Sequence, residues 1–137
     1  MNEAGLLLAS VFSAGTVLAL AGLGLLINEK AGVINLGAEG MMLCAALAGY
    51  AACVHTVSEW LGFAAGMGAG AVLAGVLGWL VIWLNTNQSA TGLALSLLGA
   101  GLSAFVGAPY TQQALPARSH FAIPVLSELP LVGKMLF

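Results

Sequence analysis

Aspartate is absent from this sequence, and charge of either sign is scarce: five acidic residues, all glutamate, and three basic ones in 137 positions. Charged residues make up 6% of the chain, where a water-soluble domain carries roughly 25%, so there is too little polar surface to cover a body in water. Without aspartate no Ser-His-Asp arrangement exists, and His55 and His120 read as residues at an interface and not as metal ligands. A net charge of −2 leaves no basic footprint, so nucleic acid is excluded as a partner. There is no Walker-type phosphate loop, and Gly99-Ala-Gly101 follows no strand, so it signals helix packing and not a nucleotide site. No catalytic group, metal or cofactor is expected. Cysteine is limited to Cys44 and Cys53. Nine residues apart in one apolar helix, they fall on opposite faces about 13 Å apart along the axis, cannot bridge each other, and read as small packing residues.

What is present is apolar: 61% hydrophobic residues, a mean hydropathy of +1.04 and 19 glycines. In lipid every backbone polar group must be satisfied within the chain, and glycine lets helices approach closely, so the class is an all-α polytopic membrane protein. Four spans are expected within a single transmembrane domain, residues 1–137. The first runs from Leu6 to Ile27. A signal peptide is the competing reading, but Glu3 is acidic and no Lys or Arg precedes the apolar run. The second, Met41 to Val57, reaches spanning length by recruiting part of Val33–Gly40, so this helix is predicted to be short or broken and to start within or near the membrane. His55 and Glu59 mark its far interface, with Trp60 as an aromatic belt residue.

The third span, Trp60 to Leu84, carries small residues at every fourth position: Gly62, Gly66, Gly70, Ala74 and Gly78. This pattern predicts a close-packing face, with Leu73 turned toward lipid. After the polar turn Asn85–Ser89, the fourth span, Ala90 to Ala108, repeats the pattern at Gly92, Ser96, Ala100, Ala104 and Ala108. Pro109, Pro116, Pro124 and Pro130 then exclude helix, and residues 109–137, with Arg118, His120, Glu128 and Lys134, read as an extramembrane loop leading to a span that lies beyond the sequence. Four spans put Asn35 and Asn87 on one side and His55 and Arg118 on the other. Lys30 against Arg118 and Lys134 is too small a bias to set the orientation.

The chain is organised around Asn28–Met42, a polar, glycine-punctuated interruption holding Glu29, Lys30 and Glu39. One reading is an interfacial loop, with Gly32 ending one helix, Asn35 capping the next and Glu39 in its first turn. The other is that Asn35 and Glu39 line a polar path, because polar groups at membrane depth are costly and usually functional. Gly37 and Gly40 are expected to let a neighbouring element approach.

Glu29-Lys-Ala-Gly-Val-Ile-Asn-Leu-Gly-Ala-Glu-Gly-Met-Met42 resembles the signature of permease subunits of ABC importers for branched-chain amino acids, ribose and other simple sugars, and nucleosides. Trp60-Leu-Gly62, Asn87-Gln-Ser-Ala-Thr-Gly-Leu-Ala-Leu95 and Leu129-Pro-Leu-Val-Gly133 follow in the family's order. Glu-Lys before Ala-Gly-Val-Ile-Asn is most similar to the nucleoside and simple-sugar branch. The resemblance implies a non-enzymatic, multi-pass subunit of the inner membrane that forms part of a solute path, with Asn35, Gly37, Glu39, Gly40, Asn87 and Gln88 as candidate path or gating positions. It implies a second permease subunit, ATP-binding subunits and an extracytoplasmic solute-binding protein as partners. Members of the family run longer, with more spans and an ATPase-coupling loop, so the chain reads as an N-terminal portion. Two rival readings are a small oligomeric secondary transporter or channel, with Glu39 as its ionisable residue, and a structural membrane subunit.

Overall fold

The computed structural model describes residues 3–113. Four helices account for most of them: α1 (Glu3–Lys30), α2 (Ala38–Thr56), α3 (Glu59–Gly78) and α4 (Gln88–Gly107). A π-helical turn, Trp79–Trp83, continues α3, and a 3-10 turn, Ala108–Tyr110, ends α4. No strand occurs among the described residues. All four helices are long and apolar enough to cross a membrane, which makes the chain a multi-pass helical membrane protein. At 19 residues α2 is short, as its sequence predicts, but it is unbroken. The irregular turn falls instead at the end of α3. The proline-rich loop expected over 109–137 lies outside the described residues from 114 onward, with Arg118, His120, Glu128 and Lys134. Pro109 itself sits in the 3-10 turn.

The chain divides into two compact units, Met1–Gly24 with Pro116–Phe137, and Leu25–Leu115. The described part of the first is helical and almost wholly apolar. Its hydroxyls bond backward along the helix, Ser10 Oγ to the Leu7 carbonyl and Thr16 Oγ1 to the Phe12 carbonyl, both at 2.8 Å. A hydroxyl satisfied in this way is compatible with hydrocarbon on every side.

In the second unit α1 ends as the sequence predicts. Gly32 takes φ +82, the Gly32 N–H reaches the Glu29 carbonyl and the Val33 N–H reaches that of Asn28. This is a Schellman closure, and its left-handed position favours glycine. The turn between α2 and α3 solves the same problem with the wrong residue: Val57 caps α2 at φ 55, giving its N–H to the Cys53 carbonyl at 3.0 Å. Ser58 follows at once as the N-cap of α3, its side chain accepting from the Leu61 N–H. A β-branched residue in this region is strained, and Val57 is exposed, so its side chain offsets little of that cost. Val57→Gly is therefore expected to stabilise the hairpin by about 1 kcal/mol; a lower melting temperature of the detergent-solubilised variant would refute it.

The helices of this unit run up, down and up. The Ile34 N–H donates to Gln88 Oε1 at one end, and His55 Nε2 lies 2.9 Å from the Tyr110 hydroxyl at the other. Asn35 and Asn87 therefore share one end of the unit and His55 marks the opposite end, as the span count predicts. Met41, Leu77, Val81 and Leu95 form the core near the first end, with Val33 and Leu73 packed against it. Leu73 is thus a packing residue, contrary to the lipid-facing position read from sequence.

The glycine stripe of α3 is half used. Gly62 and Gly66 lie against α2: a Cβ on Gly62 would strike Cys53 Sγ, and one on Gly66 would come 3.0 Å from the Ala45 carbonyl oxygen. Gly70 is in ordinary contact with Ala45, and Gly78 meets no described residue within 4 Å. Among the described residues no helix packs on Gly78, which the sequence pattern groups with the packing positions. A strict four-residue repeat drifts about 40° per step on a straight helix, so Gly78 lies about 160° around the axis from Gly62. The buried face returns through Leu73, Leu77 and Val81. The same drift corrects the α4 stripe: Gly92, Gly99, Ser103 and Gly107 turn inward, while Ala100, Ala104 and Ala108 are exposed.

Candidate functional site

The Asn28–Met42 stretch builds the joint between α2 and α4. Helix α2 begins at Ala38, with Gly37 at the N-cap and no side-chain cap. Asn35 is therefore not the capping residue expected from sequence. Its Oδ1 accepts the Gly37 N–H at 3.0 Å, closing a turn just before the helix, and its Nδ2 lies 3.8 Å from Met41 Sδ. The short Asn side chain reaches a backbone N–H two residues on more readily than one inside the helix. Gln88 reaches across from the first turn of α4 to take the Ile34 N–H at 2.8 Å. Asn87 caps α4, accepting from the Ala90 N–H at 3.1 Å. Three of the polar candidates, Asn35, Asn87 and Gln88, are thus occupied with backbone groups of the joint.

Above this hydrogen-bonded base the two helices touch backbone to backbone. A Cβ on Gly37 would come 3.1 Å from the Gly92 carbonyl oxygen, one on Gly40 2.6 Å from Ser96 Cα, and one on Gly99 2.5 Å from the Gly40 carbonyl oxygen. The close approach expected of Gly37 and Gly40 is present, and α4 is the neighbour. Cys44 Sγ lies 3.5 Å from the Gly99 carbonyl oxygen, while Cys53 faces Gly62 of α3. The two thiols take opposite faces of α2, as their spacing predicts, and both pack.

The end of α3 is tied into the same joint. Thr86 Oγ1 donates to the Leu80 carbonyl at 2.9 Å and accepts from Thr91 Oγ1 at 2.9 Å. Asn85 precedes it in the left-handed region, φ 49, which Asn tolerates. Sequence reasoning read Asn85–Ser89 as a simple turn and missed this relay, whose signal was the pair of threonines flanking the α4 cap. Glu39 stands apart. It lies in the first turn of α2, where the helix dipole favours a carboxylate, it is exposed, and it makes no ion pair or hydrogen bond among the described residues.

A family model for the branched-chain amino acid transport system permease component matches residues 7–132. The chain belongs to this permease family. It is 47% identical to a putative glucose ABC transporter permease of Haloferax volcanii over 98% of its own length and 42% of the relative's. A guanosine ABC transporter permease of Bacillus subtilis is 28% identical over 88% of the chain and 41% of the relative. A nucleoside ABC transporter permease of Lactococcus lactis is 23% identical over the whole chain and 46% of the relative. The chain thus spans less than half the length of these relatives. No solved structure matches it. In this chain the signature stretch, Glu29–Met42, coincides with the α2–α4 joint, so the residues that carry the resemblance include those that bring two spans into backbone contact.

Proposed function

We propose that this chain forms one wall of the solute path in an ATP-driven importer of nucleosides or simple sugars, seated in the inner membrane. ATP-binding subunits, a second permease subunit and an extracytoplasmic binding protein complete it, and the chain itself makes and breaks no bonds. The relatives named for glucose, guanosine and nucleosides support this class of solute. The observation that carries the path is Glu39: an exposed carboxylate without a partner among the described residues, at the start of a membrane-spanning helix held rigidly against its neighbour. A charge kept so close to hydrocarbon is costly and marks a functional position. Rigid seating of α2 against α4 makes the pair a unit that moves as one when the path alternates between its open states.

The dipole contribution of Glu39 is worth only about 0.3–1 kcal/mol, so Glu39→Gln is expected to leave the fold and the amount of assembled complex unchanged. Uptake of glucose or guanosine into vesicles, normalised to assembled complex, should fall about tenfold, equivalent to about 1.4 kcal/mol on the barrier. Asn35→Ala, which opens the turn before α2, should reduce uptake less. Wild-type uptake by both variants would return the stretch to an ordinary interfacial loop.

A further inference from the structure

An open groove of about 530 Å³ lies between α2, from Leu43 to Tyr50, and the last turns of α4 with the 3-10 turn after it, away from the joint at Asn35 and Gln88. Leu43, Leu47 and Ala104 supply apolar lining, and Tyr50, Ser103 and Tyr110 supply hydroxyls. Its width depends on a small residue at 107, because a Cβ on Gly107 would already sit 3.4 Å from Leu47 Cδ1.

We propose that this groove receives the sugar ring of the transported solute. The proposal rests on the permease reading and deepens it by naming where, on this chain, the solute is held and by what chemistry. A sugar ring has an apolar C–H face and an edge of hydroxyls, and a site for it combines aromatic and aliphatic walls with a few placed polar groups. The groove has this composition, and its volume falls in the range of roughly 300–1,000 Å³ typical of small-molecule sites. None of the described residues that line it is charged, which suits a neutral ring better than a zwitterionic amino acid.

The aromatic walls are held in place before any ligand arrives. The Tyr50 and Tyr110 rings meet edge to face, centroids 6.4 Å apart at 88°. His55 packs on Tyr110 in the same manner, at 5.8 Å and 90°, with Nε2 2.9 Å from the Tyr110 hydroxyl. The Tyr50 hydroxyl donates to the Gln113 carbonyl. Rings already ordered lose little freedom on binding. The Ser103 hydroxyl makes no hydrogen bond to a described residue, so it is open to a ring hydroxyl.

The test uses the permease assembled with its partners in membrane vesicles, with Cys44→Ala and Cys53→Ala as background. Ala104→Cys places a thiol in the groove, and Ala100→Cys places one on α4 outside it. The rate of alkylation by N-ethylmaleimide is measured with D-glucose, guanosine or leucine present, and uptake is measured in parallel. Glucose or guanosine is expected to slow alkylation at position 104 several-fold and leave position 100 unchanged, with leucine without effect at either. Adding Tyr50→Leu should raise the half-protecting concentration roughly threefold to tenfold through loss of the aromatic contact. Unprotected alkylation at position 104 alongside measurable uptake overturns the groove and leaves the permease reading standing. Loss of both protection and uptake overturns the two together, while protection without uptake upholds the groove as a sugar site.

Discussion

Replacing Gly99 with alanine is expected to destabilise the α2–α4 pair by about 3 kcal/mol, the upper part of the usual range for overpacking. The added Cβ would fall 2.5–2.6 Å from the carbonyl oxygen, carbonyl carbon and Cα of Gly40. These are backbone atoms of a neighbouring helix, with no rotamer through which to escape. Relief requires the helices to separate, and separation would break the contact of Cys44 Sγ with the Gly99 carbonyl and loosen the Leu95–Met41 packing below it. Gly40 sits in the reciprocal position, its Cβ site 2.6 Å from Ser96 Cα, so Gly40→Ala should match Gly99→Ala. The control is two residues away. Gly101 has no described residue within 4 Å, and Gly101→Ala should be neutral or slightly stabilising through helix propensity, by up to about 1 kcal/mol. Unfolding of the three variants in mixed detergent micelles reads the difference directly. Equal stability of Gly99→Ala and Gly101→Ala would show that the helices do not cross in contact at this point.

The second large effect concerns α3. Gly66→Leu should cost about 3 kcal/mol, because its Cβ alone would already stand 3.0 Å from the Ala45 carbonyl oxygen and the rest of the side chain would be driven into α2. Gly78→Leu, at a position belonging to the same sequence stripe, should cost little, since that face meets no described residue within 4 Å. Val72, exposed on α3, serves as a lipid-facing reference, a role that Leu73 cannot fill because it packs on the core. Gly62 offers an internal check of the mechanism. There the added Cβ would meet both a side chain, Cys53 Sγ, and the backbone, 2.9 Å from the Gly49 carbonyl oxygen, so adding Cys53→Ala should recover only part of the cost of Gly62→Ala, a coupling that a double-mutant cycle measures. Equal losses at Gly66 and Gly78, read by melting temperature in detergent, would mean that the whole stripe is an interface.

The sequence by itself determined the solvent, the class and the punctuation of this protein. Eight charges in 137 residues leave no route to a soluble fold, and length and hydropathy place the four helices to within a few residues because those are local, additive properties of the chain. Gly32 as the end of α1, Glu39 in the first turn of α2 and the opposite faces of Cys44 and Cys53 were legible for the same reason: each follows from helix geometry over a few residues. Three matters were decided by tertiary structure alone. Asn35 closes a turn and does not cap α2, because the choice between two nearby N–H donors depends on where α4 holds the loop, through Gln88 and the Ile34 N–H. Gly78 has no described neighbour and Gly99 is pressed against Gly40, because a stripe in sequence becomes an interface only where the partner helix stays in reach while the repeat drifts around the axis. Tyr50, His55 and Tyr110 meet although 60 positions separate the first from the last, because α2 and α4 run parallel and end together, a pairing that no local pattern encodes. Propensity and hydropathy act over one or two helical turns, whereas these contacts are set by the distance and register between whole helices, which exist only once the helices have packed.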